Sequence, residues 1–156
     1  MILLRLGLRA GEVASLTLED IDWRAAEIVV HGKGRRDERL PLPGDVGEAI
    51  VGYLRKGRPA TTSRAVFVRQ IAPIGPLSRG GVSCIVRHAS VRAGLAPIGA
   101  HRLRHTLACD MVGAGVPLPE ISQVLRHRSI ASTANYARVD LQALRGLAQP
   151  WPGGDQ

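Results

Sequence analysis

Aromatic side chains are scarce: one Phe, two Tyr and two Trp among 156 residues. The core must rest on Leu, Val, Ile and Ala, and a surface that reads single-stranded RNA by stacking has few platforms. Cysteine is as rare. Cys84 and Cys109 lie far apart with no CxxC, which argues against a disulfide scaffold or a thiolate metal site and suits buried free thiols in a cytoplasmic protein. No apolar run approaches the ~20 residues needed to span a bilayer. The start, Met1-Ile2-Leu3-Leu4-Arg5-Leu6, has no basic stretch before its apolar residues and is interrupted by Arg5, so it makes a poor signal peptide. Acidic residues also fall short, 13 against 21 basic ones, for a net charge of +8.

What is present is globular in kind. Hydrophobic residues make up 45% and charged ones 22%, which fits one folded domain rather than a disordered chain. Lys33 and Lys56 are the two lysines, so 19 of the 21 cations are Arg. Arg holds phosphate through paired donors where Lys offers a point charge. Such a basic excess points to a polyanionic partner, although GC-rich coding also raises Arg content.

Along the chain, residues 1–6 have the pattern of a helix tail that ends at Gly7, and Ala10–Thr17 that of a short helix with Val13 and Leu16 one turn apart. Residues 19–22 look like a polar turn. Ile28-Val29-Val30 and Arg39-Leu40-Pro41-Leu42 pattern as paired strands around the basic connection Lys33-Gly34-Arg35-Arg36. Asp45 is expected to cap a helix reaching Gly57, with Val46, Ala49, Ile50 and Leu54 along one side. Ala65–Val68 suits either a third strand or a buried extended segment. Helices follow over Gly81–Ala93 (Val82, Ile85, Val86, Ala89), from His101 to Gly115, from Pro119, and over Ala134–Leu147, before a tail. The expected fold is mainly α with a small antiparallel β-sheet.

The densest chemistry lies in His101-Arg102-Leu103-Arg104-His105. Histidines at i and i+4 share the spacing of the HExxH zinc pattern, but Arg102 occupies the general-base position and Arg104 adds charge that repels a dication. No metal is expected. His101 and Arg104, at i and i+3, leave a first helical turn together, where the helix dipole also favours an anion. A basic helix end with no ligand is the plainer alternative for these five residues taken alone.

Other segments complete a pattern. Gly7-Leu8-Arg9-Ala10-Gly11-Glu12 places an Arg at a helix start, Lys33 sits in the hairpin, Arg126-His127 follows a helix, and Tyr136 comes nine residues after His127. With these in order, the sequence resembles the tyrosine recombinases, the phage-integrase family of site-specific DNA recombinases. The family signature of GLRxxE, a hairpin Lys, HxxR, a His, and a Tyr about nine residues on falls on Arg9, Lys33, His101 with Arg104, His127 and Tyr136. The resemblance covers residues 7 to about 145.

It implies the family's catalytic-domain fold over residues 1–148, with 149–156 as a tail, and cleavage and rejoining of double-stranded DNA through a 3′-phosphotyrosine, without a cofactor. Tyr136 is then the nucleophile and His101 its proton acceptor. Arg9, Arg104 and His127 donate to the phosphorane oxygens, and Lys33 protonates the leaving 5′ oxygen. Arg35, Arg36, Arg102 and Arg126 are expected on the DNA backbone. Protomers associate on DNA as a tetrameric synapse in this family, and the helix carrying Leu141, Leu144 and Leu147 is expected to dock on a neighbour. Each role has a plainer counterpart: a basic turn for Lys33, a half-buried packing residue for Tyr136. The same chain read as a remnant binds DNA without cutting it, and a type IB topoisomerase-like activity shares the chemistry. Two departures stand out. Arg126 occupies a position where the family usually has Gly, and the family's domain normally starts a helix before GLR and follows a core-binding domain. The latter gives the expectation that Leu3, Leu4, Leu6, Val13 and Leu16 are left exposed, with marginal stability or self-association as the result.

Overall fold

The computed structural model describes residues 1–32 and 37–126. Lys33, Arg35, Arg36, His127 and Tyr136, with the helix expected around Tyr136 and the tail, lie outside the described residues. The chain divides at Arg104/His105 into two compact units.

In the first unit, α1 (Ile2–Arg5) is a single turn. Gly7 follows at φ +57°, a left-handed backbone that glycine adopts without a Cβ clash, and the chain turns there into Arg9 and α2 (Ala10–Ser15). Thr17 and Asp20 then cap one 3₁₀ turn: Asp20 Oδ2 accepts from the Thr17 N–H at 2.7 Å and its hydroxyl at 2.8 Å.

Three antiparallel strands come next in the order β1 (Ile21–Asp22), β2 (Glu27–His31) and β3 (Asp37–Pro41). Ile28 pairs with both Ile21 and Leu40, and Val30 with Glu38. Alternation turns Ile28 and Val30 into the core and leaves His31 and Asp37, a registered pair, at the end of the hairpin where the connection leaves. The turn expected at 19–22 is thus in part a strand. Ile21 is buried, while Asp22 uses its carboxylate to accept from the Arg24 and Ala25 amides.

Helix α3 (Gly44–Gly52) continues into a wider i→i+5 turn that ends with the Arg58 N–H on the Tyr53 carbonyl. Pro43, not Asp45, is its cap; Asp45 lies inside the first turn, where it accepts from the Val46 N–H and pairs with Arg5 at 3.0 Å. Val46 and Ile50 face the core, but Ala49 does not. Ala65–Val68 is a buried extended segment rather than a strand, held by Arg58, which donates to the carbonyls of Ser63, Ala65 and Val66. Helix α4 (Arg79–Arg92) starts two residues before the expected Gly81, because the Ser78 hydroxyl accepts from the Gly81 N–H and caps it. Its Ile85 is 54% exposed, so α4 buries a narrower stripe than its apolar pattern predicts.

The front of the chain corrects a second expectation. Leu3, Leu6, Val13 and Leu16 are buried in the main core, and of that group Leu4 alone is exposed. The short α1 folds against α2, so these leucines cover one another. The cysteines are free but not buried: Cys84 is exposed and Cys109 partly so. Helix α5 (Ala100–Gly113) contains the unit boundary. Beyond it, Ala108, Ile121 and Leu125 centre a small core of the second unit, joined by α6 (Leu118–Val124). No helix among the described residues is long and apolar enough to cross a membrane.

Candidate active site

Arg9 is the N-cap residue of α2, and its position follows from Glu12. Glu12 Oε2 accepts from the Arg9 backbone N–H at 2.8 Å, and Oε1 from its guanidinium at 2.7 Å. One carboxylate therefore caps the helix and aims the arginine, whose side chain stays 46% exposed.

Arg104 is the opposite case. It is 2% exposed, and its Nη1 donates to the Gly7 carbonyl. A charge buried to this degree needs a partner, and the main chain of the Gly7 turn supplies one. The Gly7-Leu8-Arg9 segment thus carries one guanidinium and anchors the other, although Arg9 and Arg104 are 95 positions apart in the sequence. His101, one turn before Arg104 on α5, is exposed, as is Arg102. The first unit therefore seats Arg9 and Arg104 at one turn of the chain and carries His101 one helical turn before Arg104; guanidinium forks of this kind suit a tetrahedral or trigonal anion.

The second unit presents Arg126 at the end of α6. It is partly buried and has φ +53°, and its N–H closes the helix on the Gln123 carbonyl at 2.9 Å. Here the family's usual Gly has a physical reason, since a side chain in the left-handed region costs about 1–2 kcal/mol. Arg126→Gly should therefore be more stable than Arg126→Ala by about 1 kcal/mol, read as a higher melting temperature. Equal melting temperatures would show that this turn tolerates a Cβ. On α5, His105 Nδ1 lies 3.1 Å from the Cys109 sulfur.

One cluster carried no readable signal in the sequence. His31 bridges two carboxylates, with Nδ1 2.7 Å from Asp37 and Nε2 2.8 Å from Asp20. The Asp37 hydrogen bond first, and that of Asp20 second, raise the His31 pKa above the usual imidazole value. Burial works to raise that of Asp20, but the Thr17 amide and hydroxyl and His31 together hold it below the usual carboxylate value. The available clue was the spacing: His31 and Asp37 flank the hairpin connection at matching strand ends.

Residues 1–143 match the profile of the phage integrase family. The chain is 52% identical over 159 aligned positions to a Sinorhizobium fredii protein provisionally named integrase/recombinase y4rA, covering 100% of this chain and 39% of that one. It is 32% identical to the tyrosine recombinase XerD of Mycobacterium tuberculosis (strain CDC 1551 / Oshkosh), over 94% of this chain and 48% of the relative. In structure it is similar to the XerH site-specific recombinase bound to palindromic difH substrate in a post-cleavage complex. That match has a TM-score of 0.76 at 25% identity and covers 96% of this chain and 44% of XerH. The chain thus spans less than half the length of each of these three proteins.

Proposed function

This chain belongs to the phage integrase family, and from that premise we propose that it cuts and rejoins double-stranded DNA through a 3′-phosphotyrosyl link on Tyr136. The observation that carries the reading is the seating of Arg9 and Arg104 at one turn, with His101 beside Arg104 on α5.

In the proposed step the Tyr136 hydroxyl oxygen attacks the scissile phosphorus, its proton passes to His101, and the bond to the 5′ oxygen breaks. An unperturbed tyrosine ionises near pH ~10 and an imidazole near ~6.5, so the histidine is the fitting acceptor at neutral pH. Negative charge grows on the two non-bridging oxygens, where Arg9, Arg104 and His127 donate. Lys33 returns a proton to the departing 5′ oxygen. The phosphotyrosyl bond conserves the linkage energy, so a 5′-hydroxyl from a partner strand reverses the step without ATP. Arg35, Arg36, Arg102 and Arg126 contact backbone phosphates. Protomers associate on the DNA so that two duplexes are cut together, and the work takes place in the cytoplasm.

The test is a pool of nicked duplexes of randomised sequence, whose cut strand diffuses away and traps the intermediate. Protein-linked DNA that survives SDS and is released by protease supports the reading and reveals the site. Duplex binding with no adduct would overturn cleavage and leave a DNA-binding role; relaxation of a plasmid without exchange would assign topoisomerase-like chemistry instead. Binding should also weaken steeply with salt, by a log–log slope of about −0.9 per phosphate neutralised. A flat dependence from low to physiological salt would contradict phosphate contact by the Arg-rich surface.

A further inference from the structure

We propose that His31, as an imidazolium held between Asp20 and Asp37, is a positioning residue for cleavage. It fixes the ends of β2 and β3 from which the connection carrying Lys33 leaves, and through them the protonation of the departing 5′ oxygen. The inference rests on the strand-transfer reading above.

The geometry demands the charged ring. A neutral imidazole has one N–H and one lone pair, and two ionised carboxylates have no proton to lend. Contacts of 2.7 Å and 2.8 Å from the two ring nitrogens to two carboxylate oxygens therefore fit two donors, which is the cation. Each carboxylate ties the ring to a different element. Asp37 opens β3 and pairs in register with His31 across the hairpin. Asp20 is buried, and its other oxygen accepts from Thr17, just past the α2 helix that Arg9 caps. The hairpin end, two residues from Lys33 in sequence, is thereby fastened to the corner that presents Arg9.

The charged groups facing His31 among the described residues are Asp20 and Asp37. Further along the same face Arg39 is engaged by Glu27 at 3.1 Å, and Glu38 lies across from Val30 on the opposite face. The raised His31 pKa and lowered Asp20 pKa follow from this arrangement. Because the folded His31 pKa is raised, its contribution is full below the unfolded value and is lost as pH rises through the folded one. Asp20 behaves the other way, losing its contribution as pH falls through its lowered value. The clamp is closed between the two and opens on the alkaline side when His31 loses its proton.

The experiment uses the full chain and the duplex recovered by the adduct capture, made once with oxygen and once with sulfur at the 5′ bridging position. A thiolate departs without a proton near neutral pH, whereas an alkoxide does not. His31→Gln and Asp37→Asn should cut the oxygen duplex at least about tenfold more slowly, a fraction of what general-acid catalysis supplies. Both should cut the sulfur duplex at the wild-type rate. The wild-type to H31Q ratio on the oxygen duplex should fall toward one as pH rises through the His31 pKa, a comparison in which titrations common to both proteins cancel. His31 is almost half exposed, so both variants should keep their fold. Equal slowing on both duplexes, or none on either, overturns the positioning role and leaves strand transfer standing. A capture that yields no adduct overturns strand transfer, and this inference with it.

Discussion

Tyr136→Phe should abolish the covalent DNA adduct while leaving duplex affinity within about twofold of wild type. The substitution removes one oxygen and keeps the ring, so packing and charge are unchanged and only the attacking atom is lost. On the proposed mechanism the ring that remains offers the phosphorus no nucleophile. The control is Tyr53, the second tyrosine of the chain. Its hydroxyl accepts from the Val68 N–H at 3.2 Å and its ring packs on Phe67 with centroids 5.4 Å apart. Those contacts give Tyr53 a full structural occupation. Tyr53→Phe should lower stability by about 1 kcal/mol, the usual worth of one hydrogen bond, and leave the adduct yield intact. An adduct that persisted in Y136F would remove Tyr136 from the chemistry.

How much of this molecule was legible beforehand depends on whether a residue's role is local. Helix α5 announced itself through Leu103, Leu107 and Met111, and the hairpin through Ile28–Val30, because periodicity is a property of neighbours. β1 was hidden because a two-residue strand has no period, and its Asp22 has the look of a turn former. Pro43 outcompeted Asp45 as the cap of α3 because its backbone angles were already extended, and the carboxylate went to Arg5 instead. Ile85 fits an apolar stripe on α4 and still faces outward. The leucines before Gly7 were expected on the surface, but α1 folds back and buries Leu3 and Leu6.

The site divides in the same way. Motif spacing singled out Arg9, His101 and Arg104, and helix starts explained two of them. It gave no hint that Arg104 would be buried, since an arginine in a basic pentapeptide reads as solvated until a carbonyl 97 residues away is placed against it. His31 was silent for a related reason: its partners are 11 and 6 residues distant, one reached through strand register and the other through the folded 3₁₀ turn. Lys33, His127 and Tyr136 rest on sequence pattern alone.

The burial difference between the two arginines leads to the last expectation. Arg104→Ala should reduce the cleavage rate by about 10²–10³, the usual loss when one preorganised anion donor is removed. It should also lower stability, because the buried Gly7 carbonyl loses the Arg104 donor at a cost of about 1–3 kcal/mol. Arg9→Ala should match the rate loss but cost less stability than Arg104→Ala, since the Arg9 side chain is 46% exposed and the Glu12 carboxylate keeps its bond from the backbone N–H at position 9. Arg104→Lys separates the two roles of the buried residue. Lysine keeps the charge and a donor for the Gly7 carbonyl, so most of the stability should return. It lacks the planar fork that engages two phosphorane oxygens at once, so the rate should stay low. Measured together, melting temperature and single-turnover cleavage should set Arg104→Ala, unstable and slow, apart from Arg9→Ala and Arg104→Lys, both stable and slow. If R9A and R104K both cleave like wild type, the arginines seated at the Gly7 turn hold the fold together and the phosphate is bound elsewhere.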